Sequence, residues 1–162
     1  MEFLDIVNEK DEVIGNAPVN EIYEKCLPHR IVHIFVFNNK QEMLLQMRNH
    51  ESKFCPFHWC TAAAGHVKSG ETYEQAATRE LEEETHIVAG PVYLHKDIYE
   101  LENGLKKSLA SFRANYDGEL TPGDKVEKLQ FFGMAQIQSM INKGEKFHSE
   151  LLFLLRKHYG IK

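Results

Sequence analysis

The chain has 162 residues, of which 43% are hydrophobic and 27% are charged, a composition typical of an ordinary globular protein. This length predicts a single domain over residues 1–162 with one core. The net charge of −5 argues against a non-specific binder of nucleic-acid polymers, although it leaves a small nucleotide substrate open. The longest apolar run, Leu151–Leu155, is far too short to span a membrane, so no membrane partner is expected.

The cysteines and the N-terminus bear on location and redox state. Cys26, Cys55 and Cys60 are an odd number of thiols, and Met1–Lys10 lacks the apolar segment of a secretory signal. We therefore expect reduced thiols and a cytoplasmic protein. A soft-metal site at Cys55, His58 and Cys60 is less favoured than buried thiols, because no second Cys/His pair has zinc-finger spacing.

Apolar periodicity and turn residues predict strands that alternate with a few helices. The predicted strands are Phe3–Val7, Glu12–Gly15, Arg30–Asn38, Met43–Arg48, Val92–Glu100, Lys107–Tyr116 and Lys128–Phe132, and Trp59–Ala64 leads into a glycine turn. The predicted helices are Val19–Cys26, 72–85, Ala135–Ile141 and Phe147–Tyr159. The strand Arg30–Asn38 is apolar on both faces, which indicates a central position in the sheet. This order of elements predicts an α/β sandwich.

The predicted helix 72–85 carries the side chains that indicate chemistry. Glu80, Glu83 and Glu84 have the i, i+3, i+4 spacing that places side chains on one helix face. Three like charges on one face repel each other, so a cation bound among them would stabilise the helix. Carboxylate oxygens suit a hard ion, Mg²⁺ or Mn²⁺, rather than zinc. A solvated acidic face is the alternative interpretation of the helix alone.

The residues around these glutamates favour the metal site. Arg79 precedes the first glutamate and can hold its carboxylate. Thr72 and Gln75 have capping-box spacing, so the helix should begin near Thr72, and Glu71 lies just before that start. Upstream, the turn Ala64–His66 can bring backbone carbonyls to the same metal.

Residues 65–87 resemble the Nudix box, a pattern of Gly, Glu, Arg-Glu-aliphatic-x-Glu-Glu and a final Gly-aliphatic pair. The matching residues are Gly65, Glu71, Arg79, Glu80, Leu81, Glu83, Glu84 and Ile87. His86 stands where the family has its second glycine, a position expected to end the helix with a positive φ. The resemblance implies a Nudix-type α/β/α sandwich with a mixed β-sheet. It also implies a metal-dependent hydrolase that cleaves the pyrophosphate of a nucleoside diphosphate linked to another moiety X.

The resemblance further implies roles for individual residues. Glu80 and Glu84 would be the primary ligands of Mg²⁺ or Mn²⁺, with Glu83 also ligating. The carbonyl of Ala64 or Gly65 would complete the set. A small diphosphate, nucleotide-derived, would be the substrate partner, and dimers are frequent in this fold.

Supporting and proton-transfer roles follow in the same way. Arg79 would orient Glu80 by a salt bridge, and Glu71 would support that arginine or the turn. The general base would be either a box glutamate or a carboxylate of a later loop, where Glu127 is the best candidate and Asp124 a weaker one.

The resemblance extends to the branch that includes isopentenyl-diphosphate isomerases and hydrolase-like relatives. It rests on Asp5–Val7, Asp11–Gly15, Leu27–Phe37 and His58–Cys60. Isomerisation needs an acid and a base on opposite faces of an alkene, and the isomerases use a cysteine directly before the Gly-His of the box turn. They also use a glutamate pair on a later strand. Here Ala64 occupies the cysteine position, and Leu105–Leu109, at the place of that later strand, has no carboxylate. Hydrolysis is therefore favoured over isomerisation.

A non-catalytic binding module with the same fold is the third alternative, disfavoured by the intact set of box residues. His29 and His66 match metal-binding histidines of the isomerases. His66 could contact a second metal or phosphate or make ordinary hydrogen bonds, whereas ordinary hydrogen bonding is favoured for His33. The aromatic residues Phe54, Phe57, Trp59 and Tyr99 are expected in the core rather than against a base.

Overall fold

The computed structural model describes residues 1–162 as strands and helices in the following order. The strands are β1 (Phe3–Val7), β2 (Val13–Pro18), β3 (His29–Phe37), β4 (Met43–Arg48), β5 (Trp59–Thr61), β6 (Ala63–His66), β7 (Val92–Glu100), β8 (Lys106–Asn115) and β9 (Val126–Phe132). The helices are α1 (Val19–Glu24), α2 (Tyr73–Thr85), α3 (Met134–Asn142) and α4 (Ser149–His158). None of these helices is both long and apolar enough to cross a membrane.

The main sheet is mixed, and it splits into two branches, one built on β3 and the other on β4. Its strand order is β5-β4-β3-β8-β7, with β6 added to β3 and β9 added to β4. Strands β3 and β8 are parallel, while the remaining pairs are antiparallel. Strands β3 and β4 pair only at Phe37 and Met43, after which β3 continues beside β6, and β4 beside β5 and β9. Since the two branches separate, a cavity can open between them.

Alternate residues of β3 enter two separate cores, which makes the molecule an α/β/α sandwich. Ile31 and Phe35 pack with α3 and α4 on one face of the sheet. Val32 and Ile34 pack with the apolar side of α2 on the other face. The predicted fold class is therefore confirmed, and β3 is buried on both faces as its apolar sequence predicted.

Several predicted boundaries are wrong by a few residues for local reasons. The helix predicted over Val19–Cys26 ends at Glu24, because Cys26 adopts a left-handed φ of 53°. The helix predicted over Phe147–Tyr159 begins only at Ser149, since His148 caps it. The segment Trp59–Ala64, which was predicted only to lead into the glycine turn, contains the short strand β5 and the beginning of β6. By contrast, Val92–Glu100 has the predicted bounds.

Candidate metal and substrate site

A cavity of about 560 Å³ opens where the two branches of the sheet separate. The box helix α2 contributes Glu80, Glu83 and Glu84 to one wall. The opposite side includes Lys107 from β8 and Glu150 from α4. The structure thus brings the three predicted box glutamates together at a cavity with a polar lining.

The start of α2 is set by the predicted capping box. The Thr72 hydroxyl accepts a hydrogen bond from the Gln75 N–H at 3.1 Å, and the Gln75 side-chain carbonyl accepts one from the Thr72 N–H at 2.9 Å. Both bonds satisfy N–H groups that the first helical turn leaves unpaired. Because this cap determines where the helix begins, it also determines which face carries the glutamates.

Arg79 connects the box turn to the first glutamate. Its Nε and Nη2 donate to the two oxygens of Glu71, each at 2.8 Å, and its Nη1 donates to Glu80 Oε1 at 2.8 Å. Nη2 also donates to the carbonyl of His66 at 3.0 Å. The guanidinium therefore holds the carboxylate of Glu80 against the turn, with the contacts that the sequence predicted for Arg79 and Glu71.

Gly65 is the point of closest approach between the turn and the helix. A Cβ atom built on Gly65 would overlap the carboxylate of Glu80. The absence of a side chain at residue 65 therefore leaves room for that carboxylate. Only 13% of the Glu80 side chain is exposed to solvent. Close packing rather than an unusual φ explains the glycine of the box.

Glu84 lies deeper and is fixed by two donors from the sheet. The Gln46 side-chain amide donates to Glu84 Oε2 at 2.5 Å, and the Ala64 N–H donates to Glu84 Oε1 at 3.2 Å. The contact made by Ala64 thus uses its N–H, whereas its carbonyl was the predicted metal ligand. Gln46 also donates to the carbonyl of Ala62 at 3.0 Å, so its position is itself constrained.

The electrostatics of these carboxylates suit a cation. Burial and the nearby charge of Glu80 raise the pKa of Glu84. Burial likewise raises the pKa of Glu80, although Arg79 opposes the shift. Glu83 is more exposed, with 56% of its side chain accessible, and lies 3.4 Å from Arg79. A set of carboxylate oxygens that repel one another at a cavity wall fits Mg²⁺ or Mn²⁺.

The end of α2 has the predicted left-handed residue. His86 adopts φ 58° and ψ 13° at the C-cap, where the family pattern has glycine. Its Nδ1–H donates to the carbonyl of Thr121 at 2.9 Å. The Gly123 N–H donates to the Glu84 carbonyl at 2.9 Å, so the loop before β9 packs on this end of the helix.

Glu127, the predicted loop base, lies elsewhere. It is an exposed residue of β9, which begins at Val126 rather than at Lys128, and it does not line the cavity. It falls where the register between β4 and β9 shifts, so it has no paired residue on β4. Asp124, the weaker candidate, does line the cavity, because the loop before β9 packs against α2.

His66 is held by hydrogen bonds on both ring nitrogens. Its Nδ1–H donates to Glu2 at 3.0 Å, and the Tyr23 hydroxyl lies 2.8 Å from its Nε2. His29 is fully buried, and its Nδ1–H donates to the Leu27 carbonyl at 2.9 Å. Burial lowers the pKa of His29 to about 4. The described contacts of His66 therefore match its hydrogen-bonding alternative.

The sequence reasoning missed a buried charged cluster in the cavity. Glu150 accepts from His33 Nε2 at 3.0 Å and from Lys107 Nζ at 2.9 Å. His33 is hydrogen-bonded as expected, yet it also lines the cavity, and its Nδ1 lies 2.8 Å from the Thr61 hydroxyl. Burial would raise the pKa of Glu150, but the bond from His33 and the charge of Lys107 outweigh it and lower that pKa.

The sequence did contain a signal for this cluster. Glu150 lies on the face of α4 that carries Leu151 and Leu154, so a charge interrupts an apolar stripe. Lys107 is two residues from both Leu105 and Leu109, which are buried, so a charge interrupts an apolar row on one face of the strand. A buried charge needs a partner, and two such interruptions could have been matched to each other.

The predictions for the aromatic residues were partly wrong. Trp59 lies in the core, as expected, and Tyr99 is partly buried and packs against it. Phe54 and Phe57 are 47% and 56% exposed, and Phe54 lines the cavity, where its ring centroid lies 5.7 Å from that of Tyr23. Both follow β4 in a loop, so no strand carries them into a core.

Cys60 is the buried thiol of the three cysteines. It lines the cavity, and burial raises its pKa to about 12. A thiol with this pKa gives up its proton reluctantly, which disfavours it as the acid that the isomerase alternative requires.

Comparisons with known proteins identify the family. The family model described as NUDIX domain matches residues 27–155. An uncharacterized Nudix hydrolase of Nostoc sp. is 33% identical over 167 residues, covering 99% of this chain and 97% of that protein. The crystal structure of DR0079 from Deinococcus radiodurans superimposes with a TM-score of 0.82 at 24% identity, covering 98% and 99% of the two chains. The Nudix domain of Shewanella oneidensis NrtR, solved with ADP ribose, has a TM-score of 0.61 at 16% identity and covers 81% and 86%.

Proposed function

Because this chain belongs to the Nudix family of hydrolases, we propose that it is a Mg²⁺- or Mn²⁺-dependent pyrophosphohydrolase acting on a nucleoside diphosphate linked to a further moiety. One observation carries the proposal. The carboxylates of Glu80, held by Arg79 of the same helix, and of Glu84, held by Gln46 of β4, converge with Glu83 on one wall of a cavity. A helix that only needed a solvated acidic face would not hold two partly buried carboxylates against the sheet.

The proposed metal ligands are Glu80, Glu83 and Glu84. A divalent ion bound there supplies charge neutralisation for the pyrophosphate oxygens and lowers the pKa of a bound water. Arg79 keeps Glu80 against the turn, while Gln46 and the Ala64 N–H keep Glu84 in place. These contacts leave the ligand oxygens positioned before substrate arrives, which reduces the reorganisation needed at reaction.

A carboxylate of the box or Asp124 is the proposed general base. Asp124 lines the cavity on the loop that packs against the end of α2, so it faces the same space as the box glutamates. Glu127 is exposed on β9 outside that lining, so Asp124 is the better placed of the two loop carboxylates. A base must lie within hydrogen-bonding reach of the water it deprotonates, directly or through one further water.

The cavity supports a small nucleotide-derived substrate. Its volume of about 560 Å³ lies within the usual range of roughly 300–1,000 Å³ for small-molecule sites. Cationic side chains of Arg48, Lys107 and Lys125 line it and could meet phosphate, and Phe54 offers an aromatic face. The NrtR Nudix domain is complexed with ADP ribose, which makes this compound a suitable first substrate to test.

The proposal is tested with a panel of ADP ribose, nucleotide sugars, dinucleotides, nucleoside triphosphates and coenzyme A, each with Mg²⁺ or Mn²⁺. Mass spectrometry in ¹⁸O-labelled water should show a nucleoside monophosphate and an X-phosphate, one of them carrying the label. We expect Glu84→Gln to reduce kcat by at least about a hundredfold, since loss of a preorganised group of this kind costs that much. The matched control is Glu82→Gln, on the exposed side of the same helix.

Two results would contradict the proposal. Turnover that is equal in Glu84→Gln and Glu82→Gln would remove the box from the chemistry. Rearrangement of an isoprenoid diphosphate without release of phosphate would instead support the isomerase alternative.

A further inference from the structure

A second group of metal-binding side chains lies outside the cavity, where the edge strand β7 meets the last turn of α4. His95 and Asp97 are two residues apart on β7 and therefore point to the same face of the sheet. His158, in the last turn of α4, lies over that face. One ligand atom from each of the three residues lies within 4.8 Å of the other two, and none of the three lines the cavity.

The two imidazoles share one oxygen of Asp97. His95 Nδ1 lies 3.2 Å and His158 Nε2 lies 2.9 Å from Asp97 Oδ2. In a tetrahedral zinc site with bonds of about 2.0–2.1 Å, neighbouring ligand atoms are separated by about 3.3 Å. These two separations are close to that value, and the ligand atoms of the two imidazoles lie within 4.8 Å of each other. Because the two rings are stacked, they must turn out of the stack for both lone pairs to reach one ion.

The other oxygen of Asp97 has its own partner. Lys157 Nζ lies 2.6 Å from Asp97 Oδ1, while only 3% of the Asp97 side chain is exposed. The lysine therefore orients the carboxylate without occupying the oxygen that faces the imidazoles. Groups that orient a ligand from behind are a usual feature of protein metal sites.

His95 has an incomplete hydrogen-bonding set. Its Nδ1 is buried and has no hydrogen-bond partner, although it lies near Asp97, because the geometry there is not that of a hydrogen bond. The rings of His95 and His158 stack with centroids 3.5 Å apart and planes inclined by 15°. The buried Nδ1 of His95 therefore makes no hydrogen bond within the protein, and in the neutral tautomer protonated at Nε2 its lone pair is free for an ion.

We propose that His95, Asp97 and His158 bind one divalent transition-metal ion of the zinc class at a site separate from the Mg²⁺ or Mn²⁺ site of the box. Two imidazole nitrogens and one carboxylate oxygen select such an ion over Mg²⁺, which prefers oxygen ligands alone. Water completes the coordination. The ion would join β7, at the edge of the sheet, to the C-terminal end of α4.

The test is a calorimetric titration of the whole protein with Zn²⁺ in excess Mg²⁺. Because Zn²⁺ can also compete for the box carboxylates, Glu84→Gln is titrated beside the wild type, and we expect both to bind one Zn²⁺ per chain at the cluster. His95→Ala and His158→Ala should each weaken that binding by more than about tenfold, because outer-shell changes alone cost about 10–100-fold. His50→Ala, at an exposed histidine of the loop after β4, is the matched control and should bind as the wild type does.

Two further readouts separate this site from a folding defect and from the box. Zn²⁺ should raise the Tm of the wild type and of His50→Ala, but not that of the two cluster variants, whose circular dichroism should be unchanged. Co²⁺ under the same conditions should give the strong visible absorption of a nitrogen-ligated four-coordinate ion. No stoichiometric Zn²⁺ binding in the wild type, or equal binding in all variants, would overturn the proposal while leaving the hydrolase assignment untouched.

Discussion

At the scale of single residues, the position of the Glu80 carboxylate depends on how closely it can approach the turn at Gly65. The carboxylate of Glu80 fits beside Gly65 because residue 65 has no side chain, and Arg79 holds it there. The same carboxylate could not remain in place if the turn carried even a methyl group. The geometry of the site therefore depends on a residue that contributes no functional group.

We expect Gly65→Ala to lower kcat by at least about tenfold in a folded protein. The added Cβ would displace the Glu80 carboxylate by overlap, and misplacement of a catalytic group by about 1 Å can cost about a hundredfold in rate. Gly90→Ala is the matched control, since a Cβ there meets no atom within 4 Å. Steady-state kinetics and circular dichroism of both variants provide the measurement, and equal rates would contradict the role assigned to Gly65.

The buried Lys107–Glu150 pair leads to a prediction about stability. Their side chains are only 10% and 6% exposed, so removal of the lysine leaves a buried carboxylate with His33 as its remaining partner. We expect Lys107→Met to lower the free energy of unfolding by about 3 kcal/mol, at the low end for a broken buried pair. Urea denaturation measures this change, with the exposed neighbour variant Lys106→Met as control. Equal stability of the two variants would show that the pair is dispensable.

At the scale of elements, caps fix where the helices present their side chains. Thr72 and Gln75 begin α2, and His148 begins α4 by accepting the Glu150 N–H at 3.1 Å on its Nδ1. The first cap was recognisable from the sequence because both partners lie within one turn. The second was missed because histidine is not among the usual capping residues.

The His148 cap leads to a prediction about pH. Burial lowers the pKa of His148 from 6.5 to about 4, so between these values the unfolded chain binds a proton at this residue that the folded protein does not. Stability contributed by the neutral imidazole is therefore complete above pH 6.5 and is lost as the pH falls towards 4. His29, with its pKa also lowered to about 4 by burial, acts in the same direction.

We expect His148→Asn to lose less stability than the wild type between pH 7 and pH 5, because asparagine accepts the capping bond without titrating. Urea denaturation at the two pH values measures the difference. Part of the pH dependence should remain because His29 is unchanged. His50→Asn, an exposed control, should keep the wild-type dependence, and an unchanged slope in His148→Asn would contradict the account.

At the scale of the whole molecule, sequence-based prediction succeeded where the determining contacts are local. The helix α2, its cap and the common face of Glu80, Glu83 and Glu84 all follow from spacing within a few turns. The left-handed residue at His86 followed from the position of the family glycine. These features need no knowledge of how distant strands pair.

The remainder of the site depends on contacts between distant parts of the chain. His33 and Glu150 are 117 residues apart, and Gln46 and Glu84 are 38 apart, so no local pattern joins them. The position of Glu127 outside the cavity depends on a register shift between β4 and β9, and the spacing of residues in the sequence does not reveal such a shift. The cavity exists because β3 and β4 separate after a single pair, a property of the sheet rather than of any one segment.

The most direct test of the central claim is the anomalous diffraction of a crystal soaked in Mn²⁺. We expect a peak within about 2.0–2.3 Å of carboxylate oxygens of Glu80 and Glu84, on the wall of the cavity, that is lost in Glu84→Gln. Carboxylates that face solvent with no anomalous peak between them, in a protein that still hydrolyses its substrate, would contradict the assignment of these glutamates as metal ligands.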